Sequence, residues 1–160
     1  MGLPDKRVER MTLHEYSYKR DFTKTPEPPA TVERGTGVPV FVVQEHYSRH
    51  RHFDFRLEHE GVLVSWAVPK GVPELPGKKH LAVRTGDHPL AYADFEGSIP
   101  EGEYGAGEVE IWDKGTFNLM TWEEDRIEVV LQGNRLNGRY ILVRFKRAGE
   151  NDWLLFKARE

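Results

Sequence analysis

Two short patterns in this chain combine residue types that can do chemistry. The first lies in "VVQEHYSRHRHFDFRLEH" (42–59), where His46, His52, Asp54 and Arg56 stand among regularly spaced hydrophobic residues. Side chains alternate faces along a strand, so "HFDFRL" sends His52, Asp54 and Arg56 to one side and Phe53, Phe55 and Leu57 to the other. On the preceding segment Gln44 and His46 share a face, opposite Phe41, Val43 and Glu45. If the two segments are neighbouring strands, Gln44, His46, His52, Asp54 and Arg56 converge on one polar surface. Two imidazoles and a carboxylate suit manganese, iron or zinc, and three protein ligands leave coordination positions open. An ion held in this way can polarise a phosphoryl oxygen or lower the pKa of a bound water. Arg56 can hold a phosphate oxygen through its guanidinium. One alternating strand alone presents its polar side to solvent by default. The His-x-Asp-x-Arg order, with His46 arriving from a second strand, favours a metal site here. His50 and His59 fall outside the set and are expected to be exposed. Arg49 and Arg51 read as surface charge in the connecting turn, within reach of a nucleic-acid backbone.

The second pattern, "GDHPLAY" (86–92), sets His88 before a proline, which favours extended backbone, with Tyr92 four residues on. An imidazole there can act as general acid or phosphate donor, and the phenol can support it. By residue types alone, an ordinary turn with a packed tyrosine is the simpler reading. "GEYGAG" (102–107) has the glycine density of a phosphate loop. No helix signal follows it, so the anion-binding geometry is missing and the run reads as a turn.

The elements that must position these residues are mostly strands. Residues 1–30 form an N-terminal arm, in which Val8, Met11 and Tyr18 suggest one side of a short helix; "TPEPPA" (25–30) ends it, because proline lacks the backbone donor. Residues 31–160 carry short strand patterns at "VPVFVVQEH", "HFDFRLEH", "VLVSWAV", "HLAVRT", "EVEIWDKGTF", "IEVVLQG", "GRYILVRFK" and "WLLFKAR". Glu60–Gly61 and Asn137–Gly138 both fit two-residue hairpin turns. A long turn-rich segment spans 86–107. Many short strands at close spacing imply a mainly β protein, a closed barrel or a sandwich. Trp66 and Trp153 sit within apolar runs and are expected in the core, so no tryptophan is assigned to a ligand.

At 160 residues the chain suits one domain, which buries about 70% of its unfolded surface. The absence of cysteine excludes thiolate zinc sites, disulfides and cysteine nucleophiles, and agrees with a cytoplasmic location. No run of the sequence has the apolar length of a signal peptide or membrane span. The net charge of −3 argues against wrapping a duplex, but not against gripping one phosphate or one strand end.

With these residues laid out, the sequence resembles the 3′-phosphoesterase module of bacterial DNA ligase D, in a free-standing form. The likeness runs from about Arg20 onward through "RDFTKTPEP", "FVVQEHYSRHRHFDFRLEHEGVLVSWAVPKG", "LAVRTGDHPLAYADFEGSIPEGEYGAG", "IWDKGTF" and "WLLFKAR". It implies a compact β-barrel that removes a 3′-terminal ribonucleoside and then the remaining 3′-phosphate, leaving a 3′-hydroxyl for a polymerase or ligase. It also implies a divalent ion, typically Mn2+. Carried over by position, His46, His52 and Asp54 hold the metal, while Arg56 and His88 contact the scissile phosphate. Gln44 lines the same pocket, and Tyr92 matches the family's tyrosine after the histidine. Arg20, Asp21 and Glu27 match polar residues tied chiefly to phosphate removal, and Lys70 matches the lysine of "VPKG". The chain departs from the pattern at Gly86, where members often carry an acid, and at His80, where some carry arginine. These two positions bear on phosphate removal and phosphate binding.

Two other classes share parts of the pattern. A His-x-Asp pair with a further histidine on a β-barrel also describes non-haem iron oxygenases, although the arginines favour phosphate over an organic co-substrate. A non-catalytic nucleic-acid-binding barrel is the third, and low net basicity counts against it.

Overall fold

A computed structural model describes residues 13–31, 37–145 and 149–159. A short helix α1 (His14–Tyr18) precedes β1 (Val40–Tyr47), β2 (His52–His59), β3 (Val62–Val68) and β4 (Lys79–Pro89). A 3-10 turn (Leu90–Asp94) then leads to β5 (Gly97–Ile99), β6 (Gly107–Trp122), β7 (Arg126–Gly133), β8 (Asn137–Arg144) and β9 (Asp152–Lys157). Neighbouring strands run β1-β2-β3-β4-β9-β8-β7-β6, and β6 returns to pair with β1. The result is a closed antiparallel barrel of eight strands, with β5 added beside the start of β6. The strand patterns left a barrel or a sandwich; the fold is the closed β-barrel that the family resemblance implied, with one helix near the N-terminus.

Closure works because most strands alternate apolar and polar side chains, and β3, apolar on both faces, is covered on both. Phe41, Phe55, Trp66, Phe117, Tyr140 and Trp153 belong to one buried cluster that draws on all eight barrel strands. The lumen is therefore packed solid. Chemistry has to happen on the outer wall. There a second cluster, including Tyr16, Val42, Leu63, Tyr92, Phe95 and Val109, seats α1, the 3-10 turn and β5 against β1, β3 and β6.

The β2–β3 hairpin turns at Glu60 and Gly61, both at positive φ (50° and 85°), the geometry a two-residue primed turn requires. Asn137–Gly138 does not form the expected turn. Gln132 pairs with Asn137 and Leu131 with Gly138, so both residues lie inside the β7–β8 ladder and the chain reverses over 133–136. The reason is Asp113, buried beneath that loop. Its carboxylate accepts the backbone N–H groups of Asn134, Arg135 and Leu136 at 2.9, 3.2 and 2.8 Å, which fixes the reversal ahead of Asn137. In α1 the buried side chain is Tyr16, with Leu13 just before it, whereas Tyr18 is 82% exposed. Val8 and Met11 lie outside the described residues. Trp66 and Trp153 are buried as expected. Among the described residues no helix is long and apolar enough to cross a membrane.

Candidate active site

β1 and β2 pair in the register that the polar pattern needs, with Gln44 opposite Asp54 and His46 opposite His52. One donor atom from each of His46, His52 and Asp54 lies within 4.8 Å of the others. His46 Nδ1 is 3.7 Å from Asp54 Oδ2, and His52 Nε2 is 3.2 Å from Asp54 Oδ1. Each imidazole directs its other nitrogen at a backbone carbonyl. His46 Nε2 lies 2.7 Å from Gly105 O, and His52 Nδ1 lies 3.0 Å from His50 O. A ring nitrogen facing a carbonyl must donate, which orients the ring and leaves the opposite nitrogen for a cation. The donor set therefore fits a divalent ion with mixed nitrogen and oxygen preference. The Asp54 hydrogen bond raises the pKa of His52 against the opposing effect of burial. A cation competes for the same lone pair, so its affinity should fall on acidification.

Asp54 is buried, which alone would raise its pKa. The Arg56 charge and the adjacent His46 and His52 imidazoles outweigh burial and hold it well below the ordinary carboxylate range. Arg56, 4% exposed, is fixed from three sides. Its Nε donates to Gln44 Oε1 at 2.7 Å, Nη2 lies 3.5 Å from Asp54 Oδ2, and Nη1 lies 3.2 Å from His88 Nδ1. The Tyr92 ring stacks beneath the guanidinium at 4.8 Å. Gln44 in turn donates to the carbonyls of Tyr92 and Phe95 at 2.8 and 3.0 Å.

His88 reaches this wall through a backbone irregularity. Ser65 pairs with Thr85 and Leu63 pairs with His88, so two residues on β4, Gly86 and Asp87, oppose one on β3. Strict alternation would put Thr85 and His88 on opposite faces; the bulge puts them on the same one. Burial, with the Arg56 and Arg20 charges, lowers the His88 pKa well below its usual value, which keeps the ring neutral. Its Nδ1 is 2.9 Å from Gly86 O as well as 3.2 Å from Arg56 Nη1. It can donate to the first or accept from the second, and the choice makes Nε2 an acceptor or a donor.

A crevice of about 260 Å³ opens over these groups, lined also by Arg20, Glu27, Thr85, Tyr92, Tyr104 and Gly105. Glu27, 4% exposed, accepts from Arg20 Nε at 3.0 Å, Thr25 Oγ1 at 2.9 Å and the Tyr92 hydroxyl at 2.7 Å. Burial, reinforced by Glu27, pushes the Tyr92 pKa far above its usual value. Its hydroxyl is thus committed to Glu27. Tyr16 packs edge-on against His88 and carries the Arg20 guanidinium 3.9 Å above its ring.

Of the residues singled out in the sequence, the structure brings together His46, His52, Asp54, Arg56, His88, Tyr92, Arg20 and Glu27. Gln44 is not a lining residue. It is fully buried behind Arg56, because its amide is consumed by the 3-10 turn. Asp21 is exposed and turned to its own turn, accepting from Thr23. Lys70 and His80 border a separate hollow at the other end of β4, where His80 Nδ1 faces Gly71 O at 2.6 Å. His59, expected at the surface, is half-buried and stacked on Trp122 at 3.8 Å. His50 is exposed, and Arg51 pairs with Glu45. Missed altogether were the Gly105 carbonyl and Tyr104. The "GEYGAG" run was their signal: it is a turn, with Gly105 at φ 76°, and it presents a carbonyl to His46.

The barrel thus carries a buried arginine beside a His-His-Asp set able to hold a cation on its outer wall. The chain belongs to the DNA ligase D 3′-phosphoesterase domain family, whose pattern it matches over residues 44–144. It is 53% identical to the multifunctional non-homologous end joining protein LigD of Mycobacterium bovis, over 82% of this chain and 18% of that protein. The protein of the same name from Pseudomonas aeruginosa is 46% identical, over 92% of this chain and 19% of that one. The Mycolicibacterium smegmatis protein is 42% identical, over 92% and 21%. The chain thus spans about a fifth of the length of these relatives.

Proposed function

We propose that the chain is a metal-dependent phosphoesterase that heals nucleic-acid 3′ ends. It removes a 3′-terminal ribonucleoside by phosphodiester cleavage, then hydrolyses the remaining 3′-phosphate to a 3′-hydroxyl. The observation that carries this reading is a three-ligand cation set and two phosphate-directed groups, Arg56 and His88, in one crevice. His46, His52 and Asp54 would hold the ion, with manganese suited to the donors; it would supply Lewis-acid polarisation of the phosphoester and a more acidic water.

The chain's own groups supply the rest. Arg56 is a fixed positive charge, held before substrate arrives by Gln44, Asp54 and the Tyr92 ring. A preorganised charge in a partly dry crevice stabilises negative charge developing on phosphate without reorganisation. His88, kept neutral, can give a proton to a departing oxygen or take one from water, according to its tautomer. Arg20 can meet a phosphate oxygen while Glu27 holds it. The names of the relatives refer to end joining and DNA repair, which supports a primer–template DNA end as substrate. A polymerase and a ligase would then act on the healed end in the cytoplasm.

The test is His52→Ala, assayed with manganese on a primer–template ending in a 3′-ribonucleotide. Both products should disappear while circular dichroism and the unfolding midpoint are unchanged. Full manganese-dependent cleavage by the variant would refute the assignment.

A further inference from the structure

The outer face of β4, β9 and β8 bears hollows that share no lining residue with the crevice, and it has a different character. Ala82, Leu155 and Leu142 point into the lumen, so alternation turns Lys79, Leu81, Leu154, Phe156 and Ile141 outward. The register sets Lys79 beside Phe156 and Phe156 beside Ile141. Two adjoining hollows sit on this face and share Lys78 and Lys79. Lys157 and Arg159 border one of them, and Lys70 borders the other. Among the described residues lining both hollows, Asp152 is the single carboxylate.

Many other cations of this acidic chain are matched. Lys19 pairs with Glu15, Arg20 with Glu27, Arg51 with Glu45 and Lys114 with Asp94. Among the described residues, no carboxylate lies within ion-pair distance of Lys70, Lys78, Lys79, Lys157 or Arg159. Lys70, Lys78, Lys79 and Arg159, four exposed cations without a carboxylate partner among the described residues, set up a local positive field against a net charge of −3.

β4 connects this face to the crevice. Its outward row is Lys79, Leu81, Val83, Thr85 and, beyond the bulge, His88, and the row carries no carboxylate. From Lys79 to His88 the strand spans at most about 30 Å. That equals about nine base-pair steps of a nucleic-acid strand. The apolar strip between the cations, with Leu81 and Phe145 partly exposed, suits the sugar faces between phosphates.

We propose that this β4–β9–β8 face grips the phosphates of the duplex behind the 3′ end, within about one helical turn of the crevice. The proposal rests on the crevice being a 3′-end site, and its test is a binding measurement that needs no turnover. The variant carries Lys70→Gln, Lys78→Gln, Lys79→Gln and Arg159→Gln, all at exposed positions. Its affinity for a DNA duplex of about 24 base pairs is measured against salt, beside a hairpin of about four base pairs that ends before reaching the face. Each phosphate contact contributes about 0.9 to the slope of log affinity against log salt. The expected result is a slope shallower by about 2–4 and at least about tenfold weaker binding on the long duplex, with the hairpin unaffected. An unchanged slope on the long duplex overturns the proposal. Equal weakening on the hairpin overturns it too, as a general charge effect. So does loss of binding to polyglutamate with duplex binding intact, which would assign the face to an acidic protein. If wild type binds the long duplex with the steep slope but cleaves neither substrate, the reading of the crevice fails while the grip stands.

Discussion

Gln44→Ala is the perturbation that tests how Arg56 is held. Gln44 has no exposed surface and makes three hydrogen bonds at 2.7, 2.8 and 3.0 Å, one of them to a guanidinium. Truncation leaves Arg56 Nε and the carbonyls of Tyr92 and Phe95 without their partner. Each unsatisfied buried group costs about 1–3 kcal/mol, and loss of a partner to a buried charge costs about 3–5 kcal/mol. We expect about 3–5 kcal/mol of destabilisation, a large part of the ~5–15 kcal/mol that holds a domain together. The decisive measurement is a double-mutant cycle with Arg56→Met, by urea unfolding in chelator so that no ion contributes. Once Arg56 is methionine, the Gln44 oxygen has lost its donor, so the two losses should overlap by about 1.5–3 kcal/mol, the value of a hydrogen bond to a charged group. Additivity within about 0.5 kcal/mol would show the two side chains to be energetically independent and refute the reasoning.

Other predictions are as direct. Burial holds the native His88 pKa well below its unfolded value of 6.5, so below that pH the unfolded chain binds a proton the native chain does not. Stability should therefore be unaffected above 6.5 and fall as the pH drops below it, by up to about 1.4 kcal/mol per pH unit. In His88→Gln that stretch of the profile should flatten by the same amount, as read by urea midpoints. Saturating manganese, at about 100 times its dissociation constant, should raise stability by about 2.7 kcal/mol, and Asp54→Asn should abolish that rise in thermal unfolding. Asp113→Ala removes the acceptor for three backbone N–H groups of the β7–β8 loop. It should cost about 2–4 kcal/mol in urea unfolding while leaving cleavage below the transition unchanged.

Much of the wall was legible because a period of two is hard to mistake. "HFDFRL" allows one assignment of faces, and only residues 48–51 separate it from the strand that carries His46, so the cation set followed from adjacency alone. What could not be read depends on contacts distant in sequence. The bulge at Gly86–Asp87 exists only relative to β3, and without it "GDHPLAY" looks like a turn. Asn137–Gly138 has the composition of a hairpin turn, but Asp113, more than twenty residues earlier, decides where the chain reverses. Gln44 has the right face for the pocket, yet only the 3-10 turn that covers it shows that its amide is already spent. Glu27 drew notice only through family likeness, since a lone acid in a proline-rich arm carries no pattern of its own.

The buried Arg56–Asp54–Gln44 cluster also has an evolutionary consequence. Replacing such a polar group as a whole with well-packed apolar side chains is often neutral or stabilising by 1–4 kcal/mol in other proteins. Selection for heat resistance alone would therefore erode this corner of the wall first, whereas the solid lumen would endure. A thermally hardened but inert descendant of this barrel would be recognised by a greasy patch where the polar trio now sits.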